Sequence, residues 1–254
     1  MSKYKEIKGF KVQTLASDTV ASGLSGATWA SGGALNTART WLAGAGIQTA
    51  SLAFGGQEPA DSGKTESYNG SSWTEVADLN LARYALAGSG TYTAALAYGG
   101  YAAPSPRAQT EVWNGSAWTE VNDLNTARYG LGGSSTSSTA AIAFGGDAPP
   151  GVQAVAETWN GTSWTEVGDL NTAREGIGFA NQMPYTAGVA VGGANAPGAV
   201  LAIHEQWNGS AWTETTDINE GRNTAGGASD GTQTSIIIFG GNDPSPGYLA
   251  NNDF

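Results

Sequence analysis

The sequence predicts an all-β protein in which five four-stranded antiparallel units close into a ring, and three observations predict it. Gly fills 38 of 254 positions and Trp nine, against 13% charged and 40% apolar residues, a mixture that suits many short strands and tight turns rather than helices. A Leu-x-x-Ala-Arg-like anchor recurs at Arg39, Arg83, Arg128, Arg174 and Arg222, in steps of 44, 45, 46 and 48 residues. The first and last units lack complementary pieces.

In chain order, residues 1–20 form a separate lead segment. Lys3, Lys5, Lys8 and Lys11 against Glu6 give its first eleven residues +3, so that everything after them carries −14 in a total of −11. Its polar and apolar residues alternate without a continuous apolar stretch, so neither a secretory signal nor a membrane span is expected. The ring is expected over residues 21–254. Trp29 precedes Arg39 by ten positions, as Trp118 precedes Arg128, so residues 25–33 read as a last strand with no third strand before it.

The third unit shows the plan: strands over 129–133, 139–144, 154–159 and 163–167. The second is a continuous apolar run, as in a strand buried on both faces, and stops at Gly145-Gly146. Asn160-Gly161 then predicts a type I′ hairpin between the third and fourth strands. Four antiparallel strands in this period make one blade of a β-propeller. At the far end Phe254 lies 13 residues after Gly241, as Trp113 lies 13 after Gly100, which predicts a third strand with no fourth. Pairing it with residues 25–33 would close the ring and remove two open sheet edges. The columns Tyr68, Trp113, Trp159, Trp207 and Trp73, Trp118, Trp164, Trp212 are expected to pack blade against blade.

A Gly-Gly closing an apolar strand, an aromatic about 13 positions on, a Trp five later and then Leu-x-x-Ala-Arg is similar to the kelch repeat. That resemblance implies a β-propeller and no particular chemistry. Kelch rings usually have six or seven blades; five are counted here.

Few residues could do chemistry. The chain has no Cys, hence no thiolate metal site. His204 is its one histidine; a triad, a His-rich metal cluster or the copper site of the kelch enzyme precedent all need partners it lacks, so it reads as a polar filler. Glu66, Glu111, Glu157 and Glu205 recur once per unit, as do Asp78, Asp123, Asp169 and Asp217; identical environments argue for scaffold over an acid–base pair. Asp-Leu-Asn-Thr lacks the Gly and distal Glu of a calcium loop. No cofactor or metal is expected. Asn69, Asn114, Asn160 and Asn208 match the glycosylation pattern, but Asn-Gly is already required by the turn. The net charge of −11 argues against a nucleic-acid partner.

Two binding surfaces are expected. Arg39, Arg83, Arg128, Arg174 and Arg222 would ring a channel mouth and attract an anion, unless each forks to carbonyls or to an acid of an adjacent blade. The loops after each Gly-Gly differ from unit to unit on an otherwise repeated scaffold, and in ring folds such loops carry recognition; Tyr101, Arg107, Asp147, Asn195 and Tyr248 are the candidates there.

Near-identical tandem blades behind a short basic leader resemble the kelch-like repeat proteins of marine bacteriophage virions, in particular tail-associated ones. That likeness implies a non-enzymatic virion component, an extracellular-particle location, and either adhesion to a host glycan or surface protein or decoration of the particle. Lys3, Tyr4, Lys5, Lys8, Phe10 and Lys11 would then attach it to an acidic virion partner. The other readings are a self-assembling structural subunit, homo-oligomeric in the particle, and, more remotely, a glycan-active hydrolase.

Overall fold

A computed structural model describes residues 31–179, 182–196, 198–229 and 231–243, and the backbone of 247–248 and 252–253. The lead segment with Lys3, Tyr4, Lys5, Lys8, Phe10 and Lys11, together with Trp29 and Phe254, lies outside the described residues. Among the described residues every regular element is a β-strand, and no helix is long and apolar enough to cross a membrane.

The first sheet runs β1 (Ala43–Ile47), β2 (Ala50–Phe54), β3 (Thr65–Tyr68), β4 (Trp73–Val76) in chain order. In the second unit β5 (Ala87–Thr91) and β6 (Ala94–Tyr98) lead into a small hairpin, β7 (Tyr101–Ala102) with β8 (Ser105–Pro106), before β9 (Thr110–Trp113) and β10 (Trp118–Val121) complete the sheet. The third repeats this with β11 (Gly132–Ser134), β12 (Ala141–Phe144), the hairpin β13 (Asp147–Ala148) and β14 (Gly151–Val152), then β15 (Ala156–Trp159) and β16 (Trp164–Glu166). A fourth sheet holds β17 (Val189–Val191), β18 (His204–Trp207) and β19 (Trp212–Glu214); its first strand is reduced to a bridge between Gly178 and Val191. The fifth sheet holds β20 (Gly226–Ser229), β21 (Ile236–Phe239) and, after the separate hairpin β22 (Asn242–Asp243) with β23 (Gly247–Tyr248), β24 (Asn252–Asp253). All pairings are antiparallel.

Successive sheets pack face to face through the apolar run of each second strand. Leu52 and Phe54 cluster with Ala95, Ala97, Trp113 and Trp118 of the next unit; Leu96 and Tyr98 do the same with Ala141, Ala143, Trp159 and Trp164. Ile142 and Phe144 repeat it with Ala190, Trp207 and Trp212. Each Trp removes roughly 150–250 Å² from water, a gross ~4–6 kcal/mol. The sheets approach closely because small residues face the rings: a Cβ on Gly133 would stand 2.0 Å from the Tyr98 hydroxyl.

The Gly-Gly anchor has a conformational cause. Gly55 and Gly56 both have positive φ, 67° and 106°, and this turn lets the Gly56 N–H reach the Arg83 carbonyl of the next unit at 2.9 Å. The same bond joins Gly100 to Arg128, Gly146 to Arg174 and Gly193 to Arg222. L-residues rarely adopt that geometry, which is why the pair is glycine each time.

Two expectations need correction. The Asn-Gly hairpins are not type I′: Tyr68 pairs with Trp73, leaving a four-residue loop in which only Gly70 has positive φ, 93°. The Asn69 Oδ1 instead accepts the N–H groups of Ser71 and Ser72, each at 3.0 Å, an Asx turn repeated at Asn114, Asn160 and Asn208. Counting from Gly241 also misplaces the last register. Phe239 pairs with Asn252 where Tyr98 pairs with Thr110, so Asp253 occupies the place of Glu66, Glu111, Glu157 and Glu205. From Gly241 to Asn252 the chain is one residue longer than from Gly100 to Thr110.

Candidate binding face

The repeated charged residues are consumed by the scaffold. Glu157 lies buried on β15; its Oε2 accepts the Asn125 backbone N–H at 2.7 Å and side-chain Nδ2 at 2.8 Å, while Oε1 meets Arg128 Nη1 at 2.6 Å. The Asn125 Nδ2 also donates to the Trp164 carbonyl at 3.1 Å, tying the linker between two sheets to the outer hairpin of the second one. The same set recurs as Asn36–Glu66–Arg39, Asn80–Glu111–Arg83 and Asn171–Glu205–Arg174. Arg222 donates to the Gly240 carbonyl at 3.0 Å. Burial pulls the Arg83, Arg128 and Arg174 guanidiniums down from their usual range, and the paired glutamates oppose this. An unpaired charge there would be very costly.

Of the two readings of the arginines, the structure has them forked to carbonyls and acids rather than open at a channel mouth. Arg39, Arg83, Arg128, Arg174 and Arg222 are buried, and the acid each of the first four takes belongs to its own sheet rather than to an adjacent one. Asp78, Asp123 and Asp169 accept the backbone N–H of Thr65, Thr110 and Ala156 at 3.2–3.3 Å. His204 occupies the place of those three residues on β18, half-buried, with Nδ1 3.0 Å from Thr215 Oγ1; burial lowers its pKa. Among the described residues no cluster of three acidic, His or Cys side chains could hold a metal.

What faces solvent is different. The residues after each arginine come from all five units to line one cavity of about 540 Å³, among them Trp41, Tyr84, Tyr129, Glu175 and Asn223. Its rim is stitched by backbone bonds from unit to unit: Ala85 N–H to Trp41 O, Gly130 to Ala85, Gly176 to Gly130 and Thr224 to Gly176, at 2.6–2.9 Å. These five residues all have φ between 50° and 62°, held by the bonds although three are not glycine.

An aromatic belt leads out of this cavity onto the variable loops. Trp41, 55% exposed, stacks on Tyr84 with centroids 5.3 Å apart and planes at 23°; Tyr84 meets Tyr101 at 5.4 Å and Tyr101 meets Tyr129 edge-on at 5.4 Å. The Tyr129 hydroxyl donates to Asp147 Oδ2 at 2.7 Å. Burial and then this carboxylate raise the Tyr129 pKa well above the phenol range. The belt is held because the first residue of each variable loop pairs with the residue after an arginine: Tyr101 with Tyr84, Asp147 with Tyr129, Ala194 with Glu175, Asn242 with Asn223.

Of the loop candidates, Tyr101 and Asp147 therefore stand together in the belt. Arg107 does not join it; its Nη2 closes its own loop on the Ala102 carbonyl at 2.9 Å. Asn195 lies in its own turn, its N–H bonded to Ala199 O at 3.0 Å. Tyr248 pairs with Asn242 through the backbone. Sequence reasoning missed Trp41, Tyr84, Tyr129 and Glu175, although the signal was present: the two positions after each arginine vary as much as the loops do.

The chain matches no protein-family model and no curated protein.

Proposed function

We propose that this protein is a non-enzymatic binding module, a five-bladed propeller whose loop face takes a host-surface glycan on a virus particle. The aromatic belt Trp41–Tyr84–Tyr101–Tyr129 is the observation that carries the reading. Sugar rings present apolar C–H faces that pack on exposed aromatic rings, and a site needs such a platform beside a few polar groups. The belt has both, with Asp147 and Glu175 at its inner end. The repeated glutamates, each held in a buried pair with an arginine, offer a hydrolase no free acid–base pair among themselves.

Ring closure by residues 25–33 is part of the proposal. The linker residue Asn36 bonds Glu66 just as Asn80, Asn125 and Asn171 bond the next unit's glutamate after β4, β10 and β16, which supports a fourth strand ahead of Asn36 as well. With no native Cys, Ala30→Cys with Phe254→Cys tests this cleanly; the positions correspond to the cross-strand pair Gln206 and Thr213. Spontaneous cross-linking within one chain supports closure, and free thiols under oxidising conditions refute it.

Glycan-array binding that Trp41→Ala abolishes without lowering the unfolding midpoint is the expected result. Absence of any hit at low and moderate salt would count against a glycan. Particle attachment through residues 1–20, and the virion location itself, rest on the sequence likeness and on the basic charge of that segment. Deletion of residues 2–19 should release the protein from purified particles; if the truncated ring stays bound, attachment runs elsewhere and self-assembly becomes the better reading.

A further inference from the structure

The wall of the cavity is chemically one-sided. Its lining includes a single ionisable acid, Glu175, and no Lys or Arg, because the five arginines that start the units point into their own buried networks. Among the described residues the half-buried Glu175 carboxylate makes no hydrogen bond or ion pair, and its Oε2 lies 3.3 Å from where a side chain on Gly130 would begin. Every other buried carboxylate of the repeat is matched by an arginine. Burial and the neighbouring Asp147 raise the Glu175 pKa, as expected of a carboxylate lacking a cation. Four aromatic side chains, Trp41, Tyr84, Tyr129 and Phe179, share the same wall, and ring faces attract cations.

We propose that this cavity seats an organic ammonium group, with Glu175 as its counter-ion and the rings of Trp41, Tyr84 and Tyr129 around it. The inference deepens the glycan reading and rests on it: the favoured ligand is an amino sugar with a free, protonated amine rather than a neutral or N-acetylated one. At about 540 Å³ the cavity falls within the range of small-molecule sites, roughly 300–1,000 Å³.

The test is a titration of the full chain, followed by tryptophan fluorescence and calorimetry, with equal-length oligomers of glucosamine, N-acetylglucosamine and glucose, and with choline as a free small cation. The pH is set where the amine is protonated and the carboxylate ionised. Glucosamine oligomers should bind about tenfold tighter than the N-acetylated ones, as one charge-assisted contact gives. The preference should shrink as salt rises and fall to about one in Glu175→Gln, whose unfolding midpoint shows that the fold is kept. Equal affinity for the amine and N-acetyl oligomers overturns the inference while leaving the glycan reading intact. So does a preference that survives Glu175→Gln. Choline binding without any saccharide supports the ammonium seat and refutes the glycan. No binding by any of the four refutes both.

Discussion

Ala156→Thr should stabilise the protein, because it supplies the partner missing from one of three otherwise equivalent indoles. Trp118 Nε1 donates to Thr65 Oγ1 at 3.0 Å, and Trp164 Nε1 to Thr110 Oγ1 at 2.9 Å, each reaching back to the preceding sheet. In the next step of the repeat Ala156 stands in the threonine's place, and the buried Trp212 Nε1 has no partner. Space is not the obstacle. Phe144 and Trp212 are 4.8 Å apart, against 4.9 and 5.0 Å for Phe54–Trp118 and Tyr98–Trp164, and Thr65 and Thr110 fit there fully buried. A net hydrogen bond contributes about 1 kcal/mol, more where it rescues a buried orphan donor. For a chain of this size that raises the thermal midpoint by roughly 2–4 °C. In urea unfolding the midpoint should rise with an unchanged m-value. Ala156→Val, with the same shape and no hydroxyl, separates filling from bonding. If Val stabilises as much as Thr, or if Thr65→Val and Thr110→Val are neutral, the indole bonds contribute nothing and the reasoning fails.

Three further outcomes are expected. Glu157→Leu strands Arg128 and Asn125 and should cost about 3–5 kcal/mol in urea unfolding, whereas Glu157→Leu with Arg128→Met should recover most of it. His204 has a folded pKa below its ordinary 6.5, so its contribution is intact above that value and is lost as pH falls through the lower folded pKa; thermal midpoints from pH 7 downward should show this fall, and His204→Thr should flatten it. Thr224, a β-branched residue at φ 52°, should gain about 1 kcal/mol on Thr224→Gly, the left-handed strain relieved exceeding glycine's entropy cost; a loss measured by urea unfolding would mean the rim imposes no strain.

The repeat, the strand count of its complete units and the positions of the buried tryptophans were legible in the sequence, because each follows from a local pattern written several times over. The same repetition marked Glu66, Glu111, Glu157 and Glu205 as scaffold, though not their arginine and asparagine partners, which lie about 30 residues away in sequence. Only the tertiary structure turned the arginines inward and so left the cavity without basic residues. It also decided the hairpins, since Asn-Gly permits a two-residue turn but the pairing of Tyr68 with Trp73 demands four. The belt was beyond local reading for the same physical reason: Trp41, Tyr84, Tyr101 and Tyr129 sit on three different units, and what brings their rings together is the packing of one sheet on the next, a long-range property that no single repeat encodes.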